Sequence, residues 1–503
     1  MELQWQIPSY PILFSFFIFI FMFLKIWKKQ SQSSSIFPPG PWKFPILGNI
    51  PQLAAGGVLP HQRLTHLAKI YGPVMTIQLG QVKSVVISSP ETAKEVLKTQ
   101  DNQFADRPLL LAGEMVLYNR KDILYGTYGD QWRQMRKICT LELLSAKRIQ
   151  SFKSVREQEV ASFLDLLRSK AGSPVNLTVG VFGLTNTIMM LTTIGEKCKN
   201  QEAVMSVIDR VSEAAAGFSV ADVFPSLKFL HYLSGEKSKL QKLHKETDQI
   251  LEDIISEHKA NAKNGSGGQA DNLLDVLLDL QKNGNLQVPL TNDNIKAATL
   301  EMFGAGSDTS SKTTDWAMAQ LMRKPSAMKK AQEEVRRVFG ETGKVEESRI
   351  SELKYLKLVV KETLRLHPAV ALIPRECREK TKVDGFDIYP KTKILVNPWA
   401  IGRDPKVWTE PEVFNPERFQ DSPIDYKGTN FELIPFGAGK RICPGMTLGI
   451  TNLELFLANL LYHFDWKFPN GITAENLDMS EAIGGAIKRK LDLELIPIPY
   501  KSS

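Results

Sequence analysis

From Ile7 to Leu24 the chain carries no charged residue, and Phe, Ile, Leu and Met dominate the run. Eighteen such residues are about enough for a helix to cross the hydrocarbon core of a bilayer. Lys25, Lys28 and Lys29 follow at once. Positive flanks stay cytoplasmic, so the pattern predicts an uncleaved anchor over residues 1–27, the bulk of the chain in the cytosol and the Glu2-bearing tip in the lumen. A cleaved signal peptide would place its basic residues before the apolar run and end it with a small-x-small site; neither feature is present. The sequons Asn176-Leu177-Thr178 and Asn264-Gly265-Ser266 should then stay free of glycan.

Residues 28–41 read as a linker. Gln30 to Ser35 is polar, and Pro38-Pro39-Gly40-Pro41 makes a stiff extended hinge, because each Pro fixes φ and removes a donor. Val74 to Leu79 and Ser84 to Ile87 have the composition of strands. From about 130 to 370 apolar residues recur at three- and four-residue spacing, which predicts helices. The longest runs from about Asn292 to Met322, and another from Met446 to Tyr462. Short strands return between Thr381 and Asn397, around a Lys391-Thr392-Lys393 turn. Ala260 to Ala270 is polar and Gly-rich, a surface loop. Ala214 to Leu233 is apolar but broken by Pro225; it reads as a core helix pair, as a flexible lip over a substrate entrance, or as both. No internal repeat is found. Residues 42–503 are expected to form one mainly α domain with a minor β-sheet.

Composition narrows this picture. The 503 residues are 43% hydrophobic and 23% charged, which is globular. The net charge is +8 and the pI about 9.0. Such a surplus suits nucleic acid, anionic lipid or an acidic protein, but no basic run with interleaved aromatics lies beyond the N-terminus, so no nucleic-acid partner is expected. Four cysteines, Cys139, Cys198, Cys377 and Cys443, include no C-x-x-C pair. That excludes a zinc ribbon, a redox pair and covalent haem attachment, and fits the reducing cytosol.

Cys443 stands apart from the other three, which read as ordinary thiols. It lies in Phe436-Gly437-Ala438-Gly439-Lys440-Arg441-Ile442-Cys443-Pro444-Gly445, a Gly-rich loop that opens a helix. A thiolate ligand needs backbone N–H groups near its sulfur and a close approach of backbone to a flat macrocycle. Gly437, Gly439 and Gly445 permit both, and the following helix N-terminus favours negative sulfur. The string resembles the haem-binding signature of the cytochrome P450 family, F-x-x-G-x-R-x-C-x-G, at every fixed position. The resemblance covers essentially the whole chain and implies the haem-thiolate fold, haem b, dioxygen as co-substrate, and NADPH through a membrane-bound cytochrome P450 reductase. In the family such a thiolate pushes electron density onto iron and favours O–O cleavage.

Other motifs follow in order. Glu362-Thr363-Leu364-Arg365 precedes Pro416-Glu417-Arg418-Phe419; the family assigns Glu362, Arg365 and Arg418 to a buried structural triad. Ala305-Gly306-Ser307-Asp308-Thr309-Ser310 lies in the long helix. Mid-helix glycines at 304 and 306 cost about 1 kcal/mol each, so either something approaches the backbone or helices pack tightly there. The resemblance makes Thr309 a donor to bound dioxygen and Asp308 a source of protons. It also makes Trp132 and Arg136, at i and i+4, and Arg375 and Arg441, partners of the haem propionates. His367 is read as structural.

By the same analogy the substrate pocket includes Phe104, Leu117, Ala298, Glu301, Ala305, Val370, Leu372, Ile483 and Ile487. This mostly apolar wall suits an apolar skeleton, and Glu301 could orient an alkaloid ammonium. The anchor, hinge and A-G-x-D-T-S form resemble plant microsomal A-type members of specialised metabolism. The expected reaction is hydroxylation of a sesquiterpenoid or diterpenoid, with an indole alkaloid or a phenolic such as a flavonoid as the alternative. The resemblance further implies the endoplasmic reticulum membrane, a monomeric enzyme, and a reductase whose acidic flavin domain meets Lys137 and Lys440 in a salt-sensitive manner. A haem-thiolate isomerase or dehydratase would disrupt the Asp308-Thr309 pair and the cysteine loop, and a haem carrier would need no oxygen pocket.

Overall fold

The structure is a computed structural model that describes residues 37–216, 219–227, 235–263, 272–469 and 471–500. The expected anchor, the linker up to Ser35, much of the 214–233 lip and most of the 260–270 loop lie outside the described residues. Six helices and one sheet position the candidate site. The helices are α1 Asp130–Glu142, α2 Leu177–Ile194, α3 Asn292–Arg323, α4 Pro325–Phe339, α5 Lys354–Leu366 and α6 Met446–His463.

The central element is α3. Thr291 caps it, its hydroxyl accepting from Asn294 N–H while the Asn294 side chain accepts from Thr291 N–H, a reciprocal cap that satisfies two orphan donors. Around its C-terminal half lies the largest core. Val181, Leu184 and Ile188 of α2, Val359, Val360 and Leu364 of α5, and Leu453, Phe456, Leu457 and Leu460 of α6 are buried in it. Their spacing of three and four residues puts each set on one helical face.

Helix α2 is also long and apolar enough to cross a membrane, but two thirds of it is buried inside the protein. Its threonines explain how polar residues fit there. Thr185, Thr187 and Thr192 each donate to the carbonyl four residues back, at 2.9 Å, so these three hydroxyls are paired within the helix, while the buried Thr193 hydroxyl has no hydrogen-bond partner among the described residues. Gly306 of α3 answers the question that the mid-helix glycines raise. A Cβ there would stand 2.6 Å from Met189 Cε and 2.7 Å from its Sδ on α2, whereas at Gly304 the nearest atoms are 3.8 Å away. Close helix packing accounts for Gly306 and leaves Gly304 unexplained.

The main sheet joins β1 Val74–Leu79, β2 Val82–Ile87, β3 Ile373–Glu376 and β4 Lys393–Val396 in the order β1-β2-β4-β3. Only the β2–β4 pairing is parallel. In β3, Ile373 and Arg375 are buried while Pro374 and Glu376 are less so, the alternation that a strand imposes. That alternation turns the Arg375 guanidinium inward. The hinge is held to the sheet, with Thr76 N–H donating to Pro39 O at 2.7 Å.

Candidate functional site

Residues 436–445 form a tight loop ahead of α6. Gly437 and Gly439 have φ of +70° and +67°, a region open to glycine and strained for other residues. At Gly439 a Cβ would also meet Leu97 O at 2.0 Å. Two backbone bonds close the loop: Cys443 N–H donates to Phe436 O at 2.9 Å and Ile442 N–H to Gly439 O at 3.0 Å. Lys440 N–H donates to Asp101 Oδ2 at 2.6 Å and docks the loop on the neighbouring segment. Phe436 lies edge-on to Tyr426, 5.8 Å between ring centroids. Burial pushes the Cys443 thiol up, while the Gly445 N–H and the Arg136 guanidinium pull the other way.

Around the loop the fold gathers four guanidiniums. Arg441 donates to Ala105 O at 2.8 Å, Ile123 O at 3.2 Å and Gly126 O at 2.6 Å, and lies 4.1 Å from the Trp132 ring centroid. Arg136 donates to Ile442 O at 2.5 Å. Arg107, which the sequence did not mark, donates to Leu124 O at 3.2 Å and to Pro374 O. Arg375 donates to Pro374 O at 3.1 Å, and its Nη2 is buried with no hydrogen-bond partner among the described residues. Burial, then repulsion from Arg107 and Arg441, holds the Arg375 guanidinium far below its ordinary range. Burial likewise lowers Arg107 to about 10 and Arg441 to about 9. A buried unpaired cation is costly, so this group calls for anions. The Trp132 indole N–H donates to Ile123 O at 2.8 Å and braces the 122–126 loop beside these guanidiniums.

Helix α3 carries the expected oxygen-pocket residues. Most of its residues are buried, yet Ala305 is exposed and Glu301 and Thr309 are partly so. These three sit at i, i+4 and i+8, one face of the helix. The Thr309 hydroxyl donates to Ala305 O at 2.8 Å. Asp308 points elsewhere: it pairs with Lys312, and its Oδ2 accepts from Ala486 N–H at 2.8 Å. Glu301 Oε2 accepts from Ile123 N–H at 2.6 Å. Burial, reinforced by Asp122, pushes its carboxyl up to about 8.

The remaining expected pocket residues divide. Val370 and Ile483 keep large exposed apolar surface, on two segments joined by Ile487 N–H to Ala369 O at 2.8 Å. Phe104 is fully buried beside Ile373 and Ile434, and Ala298 beside Met302 and Phe303. Both are almost fully covered, at 0% and 1% exposed. Leu117 packs with Val207, Val211 and Ala297, Leu372 against the core of Met75, Ile77 and Leu395, and Ile487 is 9% exposed. His367 stacks on Trp316 at 3.9 Å and meets Gln320 at 2.8 Å. Burial lowers it to about 3, as befits a structural residue. A separate cavity of about 750 Å³, lined by Phe37, Val82, Leu109, Met115 and Ala221 among others, lies at the hinge and includes no residue of the cysteine loop.

Glu362, Arg365 and Arg418 come together. Arg365 meets both Glu362 oxygens, at 2.7 and 2.8 Å, and Arg418 Nε meets Oε1 at 3.0 Å.

The residues fit a haem. Cys443 would hold its iron, and the unsatisfied Arg375 with its neighbouring guanidiniums would meet the carboxylates of its rim. The profile of the family described as cytochrome P450 matches residues 38–493. The chain is 90% identical over 503 residues, all of both chains, to cytochrome P450 726A27 of Euphorbia lathyris. It is 51% identical over 99% of both chains to premnaspirodiene oxygenase of Hyoscyamus muticus, and 48% identical to costunolide synthase of Lactuca sativa over 95% of this chain and 97% of that one. A zebra fish cytochrome P450 solved with progesterone superposes with a TM-score of 0.76 at 25% identity, over 88% of this chain and 100% of its own. The chain belongs to the cytochrome P450 family, in its plant A-type group, and is a haem-thiolate monooxygenase that takes dioxygen and NADPH-derived electrons through a reductase.

Proposed function

We propose that this monooxygenase hydroxylates an apolar terpenoid skeleton, a sesquiterpenoid or a diterpenoid. The observation that carries the reading is the character of the open surface. Ala305, Val370 and Ile483 are exposed and apolar. The carboxyl on that face of α3, Glu301, is already tied to Ile123 N–H. Such a surface holds a ligand by desolvation and shape, and the engaged Glu301 weakens the case for an alkaloid ammonium. The relatives named premnaspirodiene oxygenase, 5-epiaristolochene 1,3-dihydroxylase and costunolide synthase support the same class.

Bound haem supplies the iron at which dioxygen is activated, with Cys443 as its ligand. The chain's own residues do the rest. Arg136, Arg375 and Arg441 bind the haem carboxylates, with Trp132 bracing the loop beside them. Thr309 presents its hydroxyl on the open face, and Asp308 is the nearby acid for proton delivery. Phe436, Gly437 and Gly445 shape the loop that sets the sulfur. Glu362, Arg365 and Arg418 hold the scaffold behind it. Residues 1–27 anchor the enzyme in the endoplasmic reticulum membrane, 28–41 act as linker and hinge, and 42–503 form the catalytic body, facing the cytosol and acting as a monomer. The cavity by Phe37 and Leu109, next to the lip, is the entrance from the membrane side.

Microsomes holding this enzyme and a reductase, fed terpenes, alkaloids and flavonoids, test the substrate class. NADPH-dependent terpene products heavier by one oxygen are expected; turnover of alkaloids or phenolics alone would overturn the terpenoid reading. Cys443→Ser should abolish the thiolate-type carbon monoxide difference band of the reduced enzyme, and a retained band would remove Cys443 as ligand.

A further inference from the structure

We infer that Lys312 is a positioning residue for proton delivery, because it clamps the Asp308 carboxylate to the turn at residues 484–486. The inference rests on the proposed part of Asp308 in that delivery. Both carboxylate oxygens are engaged. Oδ1 pairs with Lys312 Nζ one helical turn on, and Oδ2 accepts from Ala486 N–H at 2.8 Å, 178 residues away in sequence. The two side chains are 5% and 12% exposed, so this is not the solvated i, i+4 pair that helices commonly carry at little gain.

The backbone is shaped to make this contact. At Gly485 a Cβ would stand 2.6 Å from Ser212 Cβ and 2.8 Å from Asp308 Oδ2, and at Gly484 it would stand 3.0 Å from Ala486 O and 3.5 Å from Lys312 Nζ. Two adjacent residues without side chains let the turn reach α3, with Ser212 packed behind it. The neighbouring cation, Lys488, faces Glu213 at 3.9 Å, so Lys312 is the one that meets Asp308.

A consequence follows for the acid and alcohol that stand side by side in sequence. The Thr309 hydroxyl donates to Ala305 O, and neither Asp308 oxygen turns to it. Any proton that Asp308 takes up from water and hands toward the open face therefore starts from the place this clamp fixes. Lys312 thereby sets where the carboxylate waits, and without it the carboxylate loses that place. The turn is flanked by Ile483 and Ile487, so a ligand seated on Ile483 pushes on the same clamp.

Two measurements on the full-length haem-loaded enzyme test this. One is amide hydrogen exchange at Ala486, which needs neither reductase nor substrate. The other, with reductase and NADPH but no terpene, is the peroxide released per NADPH consumed. Peroxide takes two electrons and two protons per dioxygen; the remainder leaves as two waters after four of each. With Lys312→Met, exchange at Ala486 should rise about tenfold, the loss of one charge-assisted restraint, and the peroxide share should at least about double. Lys312→Arg should restore both. Gly485→Ala attacks the clamp from the other side and should move both readouts the same way, should the Met variant fail to fold. Exchange within about twofold of wild type, or an unchanged peroxide share, overturns the inference. Asp308→Asn separates the two layers. If it raises peroxide while Lys312→Met does not, the clamp is wrong and the role of Asp308 stands. If it leaves peroxide unchanged, the role of Asp308 falls and the inference with it.

Discussion

Glu362→Ala offers a sharp test of how the site is held. Four donors converge on this carboxylate: Arg365 Nε and Nη2 at 2.7 and 2.8 Å, Asn415 N–H at 2.7 Å and Arg418 Nε at 3.0 Å. The Glu362 and Arg365 side chains are fully buried, and Arg418 is 9% exposed. Removing the carboxylate leaves two guanidiniums without their counter-ion. Arg365 keeps the carbonyls of Gly402, Pro411 and Val413, and Arg418 those of Thr409, Glu410 and Val413. Those dipoles soften the loss without supplying a charge. The expected cost is about 3–5 kcal/mol, or roughly two to four orders of magnitude in the folding constant. Arg418→Ala leaves the Glu362–Arg365 pair intact and should cost about 1.5–3 kcal/mol. The assay is urea unfolding of the haem-loaded protein, followed by haem absorbance and by tryptophan fluorescence. The triad staples α5 to residues 402–418, which lead into the cysteine loop, so both signals should shift together. An unfolding midpoint for Glu362→Ala equal to wild type would refute the reasoning.

Three further outcomes are expected. Thr309→Ala, with reductase and NADPH, should divert most dioxygen to peroxide, and unchanged coupling would remove Thr309 from proton delivery. Gly306→Ala should destabilise the protein by about 1–3 kcal/mol through overpacking against Met189, whereas Gly304→Ala, with nothing closer than 3.8 Å, should stabilise it by about 0.5–1 kcal/mol; thermal unfolding of both decides. Glu301 has its carboxyl raised from 4.5 to about 8, so between those values the native state holds a proton that the unfolded chain has released. Stability contributed by this site therefore falls as pH rises through that window, by up to about 1.4 kcal/mol per pH unit. Glu301→Gln should flatten the slope between pH 5 and 8, an interval set by the value of about 8, and an unaltered slope would contradict it.

The legible parts of the site share one property. Residues close together in sequence set them. The cysteine loop, the Glu362–Arg365 spacing and the Ala305-to-Thr309 face all follow from local backbone geometry, and the long helix ends within a residue of its expected limits, at Arg323. Arg107 was invisible because its bonded carbonyl at Pro374 lies 267 residues away. The burial of Phe104 and Ala298 in core clusters was not legible either, because which face of a segment looks inward depends on packing. Trp132 shows the same limit: its position on α1 was legible, but its acceptor, Ile123 O, depended on where the 122–126 loop settles.

By itself, then, the sequence carried the family resemblance, the cysteine loop and the run of helices, because a Gly-rich loop around a cysteine and helical periodicity are written within short stretches of chain. Tertiary structure alone decided the electrostatics. It brought four arginines from distant segments to one place, turned Asp308 toward Lys312 and Ala486 and away from Thr309, and tied Glu301 to a loop 178 residues earlier. Charge interactions act through space and depend on burial, so they cannot be read from order along the chain.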